Sequence, residues 1–429
     1  MKTRSWTAQP GNIAILGAFC LFLSTIEYLI PKPLPFMRLG IANLPLMLAL
    51  DILPLSGFLL LIGIKVVGQG IITGTLFSYI LLFSLTGTCV SALTMFGLRR
   101  LLTERMSLAG ISVLGALLSN GAQLGLARVF VFGQSVRYIT PPFLAMGLIT
   151  SLALGLFCEY FIRGSRWYAE RTGLEGRRIL TAKATKVNKK EEAPLCQSSL
   201  LLHSPSSPSR FLFSSRFRQR RQEVYEGLFS SGELCAAGLL MMPALVFNPN
   251  PYCRVLQFLF FWFLAALAGK RNNPLVTILI VLGIAAFNLL VPYGRVLFAR
   301  GMFRITEGAL LAGIQRGVTL EGLIMVSRIA IRRDLRLPGV LGKLIGESFR
   351  ILSRVQERRG AITRKNFVRD IDNLMIELSG AEALAKALPM EAGNGWLPGR
   401  AKPPVAGRLI LAAVVVLAWL PWLWGASLR

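Results

Sequence analysis

The chain has 429 residues, of which 53% are apolar and only 16% charged, with a mean hydropathy of +0.56. That balance excludes an ordinary water-soluble globular protein, and several apolar runs approach the roughly 20 residues that cross a bilayer. The formal charge of +27 does not indicate nucleic acid, because the basic residues crowd into 163–221 and 328–369, between apolar blocks. Cytoplasmic loops facing anionic lipid have that distribution, and no nucleic-acid motif accompanies it.

Lys2 and Arg4 precede the first apolar run and place the N-terminus inside. The run has no clear small-residue cleavage site and further apolar runs follow, so it reads as a retained span rather than a signal peptide. A first domain, residues 1–162, is predicted to hold six spans near Asn12–Ile30, Leu39–Leu53, Leu55–Ile72, Thr75–Leu98, Ser107–Phe130 and Pro142–Ile162. An even number returns the chain to the inner side, where Arg99, Arg100, Arg105 and the basic segment after Arg163 belong. The Pro-rich stretch Pro31–Gly40 is an extended outer turn, and Pro45 predicts a kink or a re-entrant piece just after it.

Polar side chains at membrane depth are costly and tend to face a cavity or one another. In this block they are Glu27, Asn43, Lys65, Gln69, Asn120, Gln123 and Arg128. Lys65 and Gln69 share one helix face, Asn120 and Gln123 another, and Arg128 lies about a turn further on. Two cations and several amides against one carboxylate would suit an anionic or amphiphilic small molecule. The alternative is that Lys65 and Arg128 snorkel to the interface while the amides join helices. In the first span Ala14 and Ala18 are four residues apart, with Gly17 beside them, a pattern that permits close helix approach.

Residues 163–232 read as a basic, Ser/Pro-rich cytoplasmic linker. A second membrane domain, 233–332, is predicted to hold spans near Leu234–Phe247, Val255–Ala268, Pro274–Pro292 and Ile305–Ala330. Glu307, Arg316, Glu321 and Arg328 in the last of these require burial among protein. Residues 333–405 form the one long polar stretch. Leu341, Leu344, Ile345, Phe349, Leu352 and Val355 line one helix face there, opposite Lys343, Glu347, Arg350, Arg354, Glu357 and Arg358. Gly360 is a plausible end for that helix, and Arg358 and Arg359 suit its negative pole. A terminal span, 406–429, carries Trp419, Trp422 and Trp424 as interfacial anchors.

Catalytic motifs are missing from the sequence. No phosphate-binding loop exists, since Gly342-Lys343 is followed by Leu344. There is no aspartate-rich magnesium cluster, and Asp370 and Asp372 read as solvated helix surface. The six cysteines form no C-x-x-C pair, and the lone His203 lies in the linker, so no metal or catalytic residues are assigned. The expectation is a non-enzymatic, all-α polytopic membrane protein.

With those residues in view, the chain resembles energy-coupling-factor (ECF) transporters, as a fusion of two subunits. Pro35-Phe-Met-Arg-Leu-Gly-Ile-Ala-Asn43 and Ala14-x-x-x-Ala18 resemble a substrate-binding S-component of the group labelled heptaprenyl diphosphate synthase component I or Gx transporter. Phe303-Arg-Ile-Thr-Glu-Gly308, the amphipathic helices and the terminal span resemble a T-component. The resemblance implies a six-helix capture bundle followed by a four- to five-span coupling domain in the cytoplasmic (inner) membrane. It implies that Ala14 and Ala18, with Gly17 beside them, dock the S-like half; the candidate substrate-binding residues are Arg38 and Asn43 of the first motif with Lys65, Gln69, Asn120, Gln123 and Arg128 of the polar set. T-components end two coupling helices in Ala-Arg-Gly motifs whose arginines enter partner ATPases. Here the counterparts are Arg358-Arg359-Gly360 and, lacking the arginine, Ala392-Gly393. ATP and magnesium would then reside on one or two ATPase partners, with no cofactor in this chain. The small-molecule substrate would be vitamin-like or anionic or amphiphilic, and the sequence leaves open whether other S-components share the T-like half. The alternative is an accessory membrane subunit of polyprenyl diphosphate synthesis.

Overall fold

The structure, a computed structural model, describes residues 9–29, 39–102, 105–172, 221, 224–270, 273–300, 303–332, 335, 337–358, 367–387 and 404–427. It is 86% helical. The first half comprises α1 (Gln9–Leu29), a short α2 (Leu44–Ala49), α3 (Leu55–Thr73), α4 (Tyr79–Leu102), α5 (Leu108–Ala127), α6 (Val136–Gly164) and a seven-residue α7 (Arg166–Thr172). The second comprises α8 (Ser231–Val246), α9 (Pro251–Leu267), α10 (Pro274–Leu289), strands β1 (Val296–Arg300) and β2 (Phe303–Thr306), α11 (Glu307–Ala330), α12 (Gly339–Glu357), α13 (Phe367–Ala387) and α14 (Val405–Ser427). Six helical stretches among the described residues are long and apolar enough to cross a bilayer, and three further apolar helices are shorter. The protein is therefore a multi-pass membrane protein.

The helix starts follow from local chemistry. Ser107 accepts a hydrogen bond from Gly110 N (3.1 Å) and Ser230 from Glu233 N (3.2 Å), each meeting one of the free amides that open a helix. Pro251 and Pro274 stand in the first turns of α9 and α10, where no amide is required.

The predicted second span is corrected. Residues 39–53 form a single 3₁₀ turn (Ile41–Asn43) and the six-residue α2, too short for an ordinary bilayer-spanning helix. Pro45 sits in the first turn of α2, which is why the helix begins there. Leu46, Met47, Ala49 and Leu50 are nevertheless fully buried, so this piece is sheltered by protein. It also reverses the chain, because α1 and α3 are parallel neighbours: Ile13 lies against Gly57, Ile64 against Gly17 and Leu21 against Gly68.

Helices α4, α5 and α6 follow as antiparallel neighbours. Met95 and Ser91 meet Gly115, while Ser119 bonds Gly87 O; Ala109 meets Gly155, and Asn120 meets Gly147. In the second half, Gly313 and Gly317 bring α11 against Ala285 and Val281 of α10, and Gly322 receives Leu245 of α8. Gln257 ties three helices, donating to Ala244 O (3.2 Å) and Ala418 O (2.9 Å) while accepting from Asn248 (2.9 Å). The all-helical expectation needs one amendment, since β1 and β2 form an antiparallel hairpin and α11 begins at Glu307 rather than near Ile305.

The two halves share their cores. One cluster combines Ala14, Leu16, Leu46, Phe58 and Leu61 with Leu344, Ile345, Leu352 and Val355 of α12 and Met375 of α13. Another combines Phe83, Val131 and Phe132 with Leu245, Phe261 and Leu323. Phe77 N donates to Ser327 Oγ (3.1 Å), and Asn288 Nδ2 to Val131 O (3.3 Å).

Candidate functional site

Two features of the first half bear on function, and α1 takes part in both. The first is a polar cavity of about 60 Å³ among α1, α3, α4, α5, α6 and the 39–43 turn. Glu27 closes one side. Its Oε1 accepts from Leu39 N (2.8 Å) and Gly40 N (3.4 Å), and its Oε2 from Ala42 N (3.3 Å). Gly40 adopts φ 80°, a conformation that suits glycine, which lets the turn fold back onto that carboxylate. Lys65 is 2% exposed and donates to Asn43 Oδ1, so it does not snorkel.

The floor of the cavity is built from small polar residues. Ser119 donates to Gly87 O (2.8 Å), Gln123 Nε2 donates to Ser119 Oγ (3.0 Å), and Ser112 donates to Ser151 O (3.0 Å). Thr88, Ser91 and Thr150 complete the polar lining, with Met47, Met95 and Leu154 among the apolar part. Asn120 and Gln123 are 9% and 4% exposed, and Asn120 Nδ2 and Gln123 Oε1 have no hydrogen-bond partner. Buried polar atoms are normally paired, so an unpaired donor and acceptor in one cavity call for explanation.

Of the residues predicted to bind substrate, Asn43, Lys65, Asn120 and Gln123 line this cavity. Gln69 and Arg128 do not. Gln69 lies a turn beyond Lys65, and Arg128 is exposed, bonded to Gln134 Oε1 (3.4 Å), because α5 gives way there to a π-helical turn, 128–132, that redirects the chain. Arg38 lies outside the described residues. The serines and threonines were not picked out from sequence, because single hydroxyls in apolar helices commonly bond back to their own backbone. Thr150 does so, bonding Met146 O (2.9 Å).

The second feature is the seat of α12 on α1 and α3. Ala14 and Ala18 are fully buried, and Ser348 Oγ of α12 donates to Ala14 O (3.2 Å). A Cβ at Gly17 would lie 2.7 Å from Ser348 Oγ and 2.8 Å from Ile64, so this crossing depends on the bare glycine. On α3, Gly63 faces Leu341 of α12, two residues from the cavity-lining Lys65. The opposite face of α12 exposes Lys343, Arg350, Arg354 and Arg358. Arg358 pairs with Glu377 of α13 at 2.6 Å, both half-exposed. Arg359, Gly360, Ala392 and Gly393 lie outside the described residues.

Asp372 corrects a sequence expectation. It is 4% exposed rather than solvated, and it caps α7: Arg166 N (2.9 Å), Trp167 N (3.1 Å) and the Ser165 hydroxyl all donate to its carboxylate. Trp167 Nε1 adds a bond to Ser379 Oγ (2.9 Å). The carboxylate and the α7 amides lie 205 and 206 residues apart in sequence, which explains why no local pattern reveals the pairing. Nearby, Tyr168 donates to Asp51 Oδ2 (2.7 Å), and Asp51 also pairs with Arg99 (2.9 Å).

Two family models match parts of the chain. No curated protein and no solved structure matches it. Residues 234–333 match a family model described as a domain of unknown function (DUF8519). Residues 16–161, the segment that builds the polar cavity, match the family model of heptaprenyl diphosphate synthase component I.

Proposed function

We propose that the chain is the membrane subunit of an ATP-driven ECF-type importer, with an S-like half that captures a small molecule and a T-like half that couples it to separate ATPases. The observation that carries this reading is the burial of the apolar stripe of α12 on α1 and α3, the helices that also hold Glu27 and Lys65 of the cavity. A displacement of α12 would reach the cavity through two rigid helices, since packed cores shift between discrete arrangements rather than deform smoothly. Ala14 to Glu27 spans 13 residues of one helix, about 20 Å of rise.

In this reading the N-terminus lies inside, α2 and its flanks return the chain across the bilayer, and the basic face of α12 looks into the cytoplasm. Arg358 and Arg359 would meet the ATPases. A guanidinium stays charged and holds carboxylates or helix-end carbonyls through a fixed fork of donors, which suits a joint that is pushed and pulled. ATP and magnesium would belong to the partners.

The test is affinity purification of the tagged chain in mild detergent, with mass spectrometry of its partners and uptake assays in cells. Wild type is expected to bring ATPase subunits, and Arg359→Ala to lose them and transport while still inserting in the membrane. Unchanged uptake in Arg359→Ala would remove the coupling role.

A second reading takes support from the family description over residues 16–161: an accessory subunit of polyprenyl diphosphate synthesis. A prenyltransferase in place of ATPases among the purified partners would establish it.

A further inference from the structure

The cavity narrows the class of molecule it holds, an inference that rests on the capture reading above. Sequence alone inclines towards an anion, through Lys65 and Arg128. The structure moves Arg128 out of the site, and among the described lining residues the charged groups are Lys65 and Glu27, one of each sign. Both groups already have protein partners: Lys65 donates to Asn43, and Glu27 accepts three backbone amides. Among the described lining residues a net anion meets no net positive charge, and burial of an uncompensated charge is strongly unfavourable.

The unmet demand lies instead on α5. Asn120 Nδ2 is a donor and Gln123 Oε1 an acceptor, one turn apart on the same face and both without a partner. The walls opposite them are glycines. A Cβ at Gly147 would overlap Asn120 Nδ2, and a Cβ at Gly87 would overlap the Gln123 amide, so both amides occupy space that any other residue would fill. Serine and threonine hydroxyls surround them, and the described lining contains no aromatic ring on which a flat hydrophobic group would stack.

We propose that the captured molecule is small, neutral or zwitterionic at physiological pH, and carries a hydrogen-bond acceptor beside a donor, the edge of an amide, lactam or ureide, read by Asn120 and Gln123. Such an edge satisfies both orphaned atoms at once. A molecule lacking it leaves a buried donor and acceptor unpaired, the arrangement by which polar sites reject analogues most strongly.

The test uses the full chain, purified in mild detergent from its native membrane, denatured to release bound small molecules and analysed by mass spectrometry. Asn120→Asp and Gln123→Met are treated identically, and either variant is scored when it elutes as a single folded species. The first replaces the orphaned amide donor by a carboxylate oxygen, and the second removes the orphaned acceptor at similar volume. The expected result is a stoichiometric neutral or zwitterionic compound with an amide-type edge, not displaced by inorganic diphosphate and reduced about tenfold or more in each variant. Recovery of a net anion, displacement by inorganic diphosphate, or undiminished occupancy in both variants would overturn the assignment while leaving the importer reading intact. A wild-type chain that releases nothing would overturn the capture reading itself.

Discussion

Single residues join the two halves, and substitutions there test the joint. Gly17 sits where a side chain would press on Ser348 and Ile64. Gly17→Val should cost about 1–3 kcal/mol by overpacking and weaken the seat of α12. Under the importer proposal, reduced transport with normal membrane insertion is the expected outcome, measured as uptake against membrane-fraction abundance. Asp372→Ala removes the acceptor of the α7 cap and should lower stability by about 1–3 kcal/mol, read as a lower melting temperature in detergent. Burial, followed by the neighbouring Asp51 carboxylate, pushes the Tyr168 hydroxyl above its ordinary pKa of 10.0. The unfolded chain then releases that proton near pH 10 while the folded chain retains it. Stability should be flat with respect to this group below about pH 10 and fall as pH rises further. Melting curves of wild type and Tyr168→Phe between about pH 8 and pH 11 would show the alkaline loss shrinking in the variant.

At the scale of elements, the legibility of each helix depended on where its partners lie. The long apolar runs and the period of α12 could be read directly, because burial of an amphipathic helix writes itself into spacing. Leu344, Ile345, Leu352 and Val355 were placed on one face by sequence, and all four are buried. The shortness of α2 was not legible: Leu39–Leu53 is as apolar as a span, and only its enclosure by neighbouring helices lets a 3₁₀ turn and six helical residues stand at that depth. The β-hairpin at 296–306 was not legible either: most of it falls between the predicted spans Pro274–Pro292 and Ile305–Ala330, and strands of five and four residues are too short to show a clear period. Arg295, Arg300 and Arg304 belong to that hairpin or adjoin it.

For the molecule as a whole, the shared cores predict that the halves hold together without the peptide that connects them. A protease site introduced between Ser204 and Ser209, in the segment read from sequence as a linker, should allow cleavage without separation. The two fragments are expected to co-elute in size-exclusion chromatography in mild detergent. Separation would show that the contacts of α12 with α1, of Ser327 with Phe77 and of Asn288 with Val131 are too weak to hold the assembly.

Class, most span positions, the amphipathic helix and five polar residues of the cavity were legible in the sequence alone. Hydrophobic run length and helical period are local properties, set by the bilayer and by 3.6 residues per turn. What only the tertiary structure decided was which polar groups meet. Gln69 and Arg128 passed the same local test as Lys65 and Gln123, yet helix direction and a π-helical turn keep them from the cavity. Asp372 looked like surface until Ser165 and the first two amides of α7 supplied its three donors. The value of a buried charge or amide depends on the partner it faces, and in this chain those partners come from helices distant in sequence.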